Sequence, residues 1–212
     1  MKKIYAILAA ALVFSSCSKE KGYGPFNLKD GQEVELQINH AYGAIGDTPL
    51  LLPENESPEL PLTGFDERQA GYSYTIRAKM VEYDGPVMMD GFQGSHLEFK
   101  KVVSKEKYQG DESFEISLVR SVVPGPDMIW LDKQEGSYYH ILSTGAKIQL
   151  NYSDSQIAEK LEEIWNERIA HLHADSPEQA KPLKWKRIIL TAKHDRQNFG
   201  QAYLVTSIEL SE

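Results

Sequence analysis

Tyr72-Ser73-Tyr74-Thr75-Ile76-Arg77-Ala78-Lys79-Met80 decides the reading of this chain. Tyr72, Tyr74, Ile76, Ala78 and Met80 fall on one side, and Ser73, Thr75, Arg77 and Lys79 on the other. A period of two marks a strand with one face buried and one face wet. Glu33 to Tyr42 repeats the pattern after a turn at Asp30-Gly31: Val34, Leu36, Ile38, His40 and Tyr42 alternate with Glu33, Glu35, Gln37, Asn39 and Ala41. Outward from these two, strands are expected at Leu97–Val103, Ser113–Val122, Met128–Leu131, Tyr138–Leu142 and Lys147–Tyr152. Lys186–Lys193 and Gln201–Leu210 flank the polar run Asp195 to Gly200 and read as a hairpin. So many short strands separated by turn residues predict a mainly β fold, an antiparallel β-sandwich or open barrel.

One segment changes period. Across residues 154–172, Ile157, Ala158, Leu161, Ile164, Trp165, Ile169 and Leu172 share a stripe, while Glu159, Lys160, Glu162, Glu163, Asn166 and Glu167 lie off it. That spacing predicts a single α-helix packed on the sheet. Ser153 with Gln156 has the form of a capping box, and Tyr152 is placed to staple onto Ile157. Residues 44–71 are irregular instead, with Pro49, Pro53, Pro58 and Pro61 among several acids and one base, Arg68. A loop this long is often functional, and Leu50-Leu51-Leu52 offers it a way to dock onto the body.

The chain has 212 residues, 41% hydrophobic and 25% charged, which fits a globular protein rather than a disordered or collagenous one. A single cysteine leaves no partner for an intrachain disulfide and no set for a Cys-based zinc finger. Its place matters more than its number. Lys2 and Lys3 precede an uncharged run from Ile4 to Phe14, which as a helix would be roughly 17 Å long against a hydrocarbon core of about 30 Å. Too short to span, the run reads as a secretory signal.

Phe14-Ser15-Ser16-Cys17 resembles the lipobox of bacterial lipoproteins. The resemblance covers only the N-terminus. It implies cleavage before Cys17, acylation of that cysteine, and a lipid bilayer as partner. Ser18, in place of the aspartate that retains such proteins at the inner membrane, implies the outer membrane, with the leaflet open. The expected organisation is a signal peptide over residues 1–16, a lipidated tether over 17–25 and one β-rich domain over 26–212. A weak boundary is admissible near 123–136, at Pro124-Gly125-Pro126. Losing Lys2 and Lys3 takes the formal charge from −8 to −10, which argues against a nucleic-acid partner.

Motifs of catalysis are sparse. No phosphate-binding loop, dinucleotide fingerprint or nucleophile elbow occurs. Ser95-His96 reads as a polar turn entering a strand, since adjacent strand side chains face opposite ways. Glu163, Glu167 and His171 share a helix face, yet the same spacing arises on any solvated face, and no metal or cofactor site is expected. His40 and His140 fall in register with apolar neighbours and read as core-edge histidines. The eleven tyrosines suit sheet packing, with a stacking platform for a glycan as the functional alternative.

The most unusual local feature is Lys181-Pro182-Leu183-Lys184-Trp185-Lys186-Arg187, four cations around a tryptophan in an acidic chain. It reads either as a membrane or partner contact, or as a loop with Trp185 turned to the core and the cations outward. Taken together, the sequence predicts a non-catalytic binding or envelope-assembly module, recognising a glycan or an envelope protein through loops such as 44–71. The alternative is an extracytoplasmic glycan hydrolase, which needs two carboxyl groups about 5–10 Å apart.

Overall fold

The structure is a computed structural model and describes Tyr23 and residues 26–83, 94–121, 126–172 and 182–212. In chain order the elements are β1 (Glu33–Ile38), β2 (Leu62–Thr63), β3 (Tyr72–Val81), β4 (His96–Lys107), β5 (Phe114–Ser117), β6 (Val119–Ser121), β7 (Asp127–Ile129), β8 (Leu131–Gln134), β9 (Ser137–Ile141), β10 (Lys147–Tyr152), α1 (Ser155–Leu172), β11 (Arg187–His194) and β12 (Ala202–Ser211). They build a four-stranded sheet ordered β1-β3-β4-β2, a six-stranded sheet ordered β5-β11-β12-β10-β9-β8, and the pair β6-β7. The sheets curl into a half-barrel with one helix, so the mainly β class read from the sequence is correct.

Pairing is antiparallel except for β2 on β4 and β10 on β12. The second exception follows from where β11 enters. β11 enters at the end of the sheet where β10 finishes, with Arg187 opposite Ser211 of β12, and runs back against it, so that β12 returns alongside β10 in the same direction. The last strand to be made therefore occupies the middle of the larger sheet, and Ala202, Tyr203 and Val205 are fully buried there.

Each large sheet covers its own apolar cluster. Leu36, Ile38, Tyr74, Ile76, Ala78 and Met80 form that of the smaller sheet, supplied by the alternating faces of β1 and β3 in register from Glu33 opposite Lys79 to Ile38 opposite Tyr74. The larger cluster gathers Ile116, Leu118, Leu131, Leu150, Ile188, Leu190, Tyr203 and Val205, closed by Ile157, Leu161 and Ile164 of α1. Ile129 and Leu131, inside the stretch where a boundary was admissible, lie in this same cluster with Ile116 and Leu118.

Several local expectations are corrected. The strand expected to reach Tyr42 ends at Ile38, because the Asn39 side chain accepts the Ala41 N–H at 2.7 Å and turns the chain. The strand expected over Ser113–Val122 is broken at Leu118, and that over Met128–Leu131 at Trp130. At those breaks the backbone bonds change partner: the Leu118 N–H donates to Ile188 O at 3.0 Å, and the Trp130 N–H to Leu118 O at 2.8 Å. The helix is capped by Asp154 rather than Ser153. Asp154 Oδ1 accepts the N–H groups of Gln156 at 2.9 Å and Ile157 at 3.1 Å, and Tyr152 is exposed. Among the described residues no helix is long and apolar enough to cross a membrane.

The inner stripe of α1 makes a direct test of this packing. Leu161 is fully buried, so Leu161→Ala is expected to destabilise by about 2–5 kcal/mol. Glu162 would be a poor control, although it lies off the stripe, because it accepts hydrogen bonds from Lys133 and Tyr138. The exposed Glu159→Ala serves instead. Urea melts of the two variants should separate clearly, and equal small shifts would mean that the helix is not seated on the sheet.

Candidate functional site

The two sheets meet along a seam of aromatic rings, and the seam opens on one side as a cleft of about 740 Å³. Its walls come from the turn after β1, the segment around Leu50 to Asn55, and the connection from β4 to β5; its floor comes from β5 and Ile189 of β11. Below the cleft the seam is closed. The Tyr203 hydroxyl donates to Tyr42 O at 2.6 Å, the Gly71 N–H donates to His40 O at 3.1 Å, and the Phe199 ring lies against Gly71. Gly71 has φ +79°, and a Cβ there would sit 2.5 Å from Phe199, so this contact needs glycine.

His40 stands where the closed seam becomes the cleft. Its ring stacks on Tyr108 with centroids 3.5 Å apart and planes 22° apart, and its Nδ1 lies 2.8 Å from His194 Nε2. The two histidines are 154 positions apart in the chain, His40 in the turn after β1 of the smaller sheet and His194 at the end of β11 in the larger one. Phe114 and Tyr203 complete the aromatic wall around His194, at 5.2 and 5.3 Å between ring centres. Burial is the main cause that pushes each imidazole from its ordinary value down to about 4. For His40 the nearby Glu112 opposes that shift and the buried Arg68 adds to it. Both rings are therefore neutral at neutral pH.

Neutrality fixes how they share protons. Only one nitrogen of the close pair carries hydrogen, and His194 Nδ1 is buried with no hydrogen-bond partner among the described residues. A bare acceptor is easier to leave unpaired than an N–H, which assigns the proton to His194 Nε2, donated to His40 Nδ1. His40 then carries its own proton on Nε2.

Glu112 adds the charge of the site. It accepts a hydrogen bond from the Tyr108 hydroxyl, and that bond is the main cause holding its carboxyl below the usual range. Glu115 is the second carboxylate on the lining, joined by Asn39, Asn55, Ser73, Ser113 and Ser117 as polar groups. Behind the wall, Arg68 is 5% exposed, donates to Asn39 O at 3.1 Å and lies 4.9 Å from the centre of the Tyr42 ring. Burial pulls its guanidinium down to about 10, so it keeps its charge at neutral pH.

The residues singled out from the sequence are placed as follows. Cys17 and Lys181 lie outside the described residues. Trp185 is 4% exposed and belongs to the larger core, so its indole is not presented to a membrane or partner. Burial follows from its position just before β11, whose inner face continues into the same cluster. Lys184 pairs with Glu163 at 2.6 Å, and its backbone N–H donates to Glu167 at 2.8 Å, so two acids of the helix face hold the chain entering β11. Lys186 and Arg187 are exposed. His140 is fully buried between two backbone carbonyls, Gly43 O at 2.9 Å and Trp130 O at 3.1 Å.

Residues 44–71 do not hang free. Leu50 is buried with Ala41 and Ala44, Leu51 packs on the smaller core, and the segment contributes to the walls of the cleft. Sequence reasoning missed Tyr108, Glu112, Phe114 and His194. Tyr108 does carry a faint signal, an aromatic ring in the otherwise polar run Gln109-Gly110-Asp111-Glu112-Ser113.

Fold and cleft thus define a β half-barrel with an aromatic, acid-edged cleft at the junction of its two sheets. Comparison of the chain with protein-family models, with curated proteins and with solved structures finds no match.

Proposed function

We propose that this chain is a lipoprotein of the bacterial cell envelope, anchored through acylated Cys17 and held at the outer membrane. In this reading it acts as a non-catalytic binding module with the inter-sheet cleft as its ligand site. The observation that carries the binding reading is the Tyr108-His40 stack at the cleft, a rigid aromatic shelf with amide, hydroxyl and carboxylate groups around it. Sugars ask for that combination: flat apolar surface for the ring face, and fixed polar groups for the hydroxyls. A glycan is therefore the ligand class we assign.

The electrostatics favour binding over hydrolysis. A glycosidase needs one carboxyl group kept protonated near neutral pH, whereas Glu112 is held ionised by Tyr108. An imidazole pushed down to about 4 is also a weak base at neutral pH. Lipid attachment is supported by the signal-like run and the Ser-Ser-Cys end of the first seventeen residues.

Two arms test the proposal. Cys17→Ser should abolish incorporation of labelled palmitate and move the protein out of the membrane fraction; unchanged fractionation would overturn the anchor. Titration calorimetry of the full chain against a panel of envelope and host oligosaccharides should find a binder that Tyr108→Ala weakens at least tenfold, and Glu112→Gln by less. Equal binding by wild type and Tyr108→Ala would remove the cleft as the site.

A further inference from the structure

A second cavity, of about 390 Å³, is lined by Leu28, by Leu36 of β1 and Leu97 of β4 in the smaller sheet, and by the segment from Leu51 to Leu60. Its floor is the open end of the smaller apolar cluster. At its mouth Phe26 is 53% exposed, a large ring that folding has not covered. Its volume falls within the range of small-molecule sites, about 300–1,000 Å³.

The rim has one sign. Glu54, Glu56 and Glu59 are all exposed on the lining, and none of them has a salt-bridge partner among the described residues. The two parts of the cavity therefore ask for different things from one ligand. An apolar floor takes a hydrocarbon tail, and three carboxylates without a salt-bridge partner among the described residues attract a cation and repel an anion. A free fatty acid or an acidic phospholipid would place its charge against the rim.

We propose that this cavity binds a single-chain cationic amphiphile, with the tail on Leu28, Leu36 and Leu97 and an ammonium head among Glu54, Glu56 and Glu59. The site goes beyond the inter-sheet cleft: Leu52 lines both cavities, but the aromatic shelf lines only the first. Tail length should matter through burial, each added methylene tightening binding about threefold to fourfold until the cavity is full. Head charge should matter through the rim, and salt should weaken that part because the carboxylates are exposed.

The test uses the chain from residue 17 onward with Cys17→Ser, which keeps every described residue and needs no detergent. The probes are decyltrimethylammonium, decyl maltoside and decyl sulfate, each below its micelle concentration, followed by calorimetry and by leucine methyl NMR. The expected order is ammonium, then maltoside, then sulfate. At low salt the ends of the series should differ at least tenfold, with the difference shrinking in 0.5 M salt and the shifts centred on Leu28, Leu36 and Leu51. Changing Glu54, Glu56 and Glu59 together to Gln should level the series while leaving maltoside binding intact; these side chains are exposed, so folding is not at risk. Phe26→Ser should weaken all three probes. Equal affinities in the unaltered chain, a preference for sulfate, absence of binding, or shifts confined to the inter-sheet cleft would each overturn the proposal. Oligosaccharide binding in the same preparation reports on the cleft separately.

Discussion

Lowering the pH from 7.5 to 4.5 is expected to cost this fold a large part of its stability, through histidines rather than carboxylates. His40, His140 and His194 are each held at about 4 in the folded chain, burial being the first cause in every case. Unfolded, the same rings titrate near 6.5. Between those values the unfolded chain binds more protons than the folded one, so stability is complete above about pH 6.5 and falls as the pH drops toward 4. For His140, which is fully buried, the loss by pH 4 is on the order of 3 kcal/mol. The two carbonyls at its nitrogens work against burial, and Arg120 works with it.

His40 and His194 add to the loss but titrate as a pair, since a proton on both would set two cations 2.8 Å apart. Glu112, facing His40, eases the first proton onto that ring, while Arg68 opposes it. Against a total stability of about 5–15 kcal/mol, these contributions are enough to move a urea midpoint strongly. Midpoints measured at half-unit steps should fall continuously from pH 6.5 to 4.5, with a shallower fall in His194→Phe. A midpoint flat down to pH 5 would contradict the burial of these rings.

Tyr203→Ala is the single substitution with the largest expected effect, a loss of about 3–5 kcal/mol by analogy with large aromatic truncations in cores. Tyr203 is fully buried in the central strand of the larger sheet, packs edge-on to Phe114 at 4.9 Å, and reaches across the seam to Tyr42 O. Removing the ring therefore opens a cavity where the two sheets are joined. Tyr203→Phe separates the two roles, because it keeps the ring and leaves the Tyr42 carbonyl without its donor, at about 1–3 kcal/mol. The pair of variants should be ranked Ala well below Phe in calorimetric melts. If Phe proved as damaging as Ala, the hydrogen bond and not the packing would dominate the seam.

What could be read from the sequence was local. Alternation is written into residues 72–81 because each strand has one buried face, and the stripe of α1 is written at helical spacing for the same reason. Even the docking of Leu50 and Leu51 was legible, as an apolar triplet in a proline-rich loop. Pairing order was not. Nothing in Lys147–Tyr152 or Ala202–Ser211 states that they run parallel side by side, because that depends on the end of the sheet at which β11 enters.

The site was hidden for a related reason. His40 read as a core-edge residue and His194 was missed, since sequence spacing cannot express a contact across 154 positions. Ser153 and Asp154 are both able to cap, and only backbone geometry chooses the second. Trp185 offered two readings, a contact with a membrane or partner and a place in the core. Its burial was decided by the inner face of β11, which the charged neighbours Lys184, Lys186 and Arg187 do not reveal.

We propose the Tyr108-His40 shelf between the sheets as the place where this protein meets its ligand. Methyl and aromatic NMR spectra recorded during titration with the tightest oligosaccharide test it most directly. Shifts are expected to concentrate on His40, Ala41, Ala44, Tyr108 and Phe114 along the cleft, and to disappear in Tyr108→Ala. Shifts centred elsewhere, or unchanged in that variant, would contradict it.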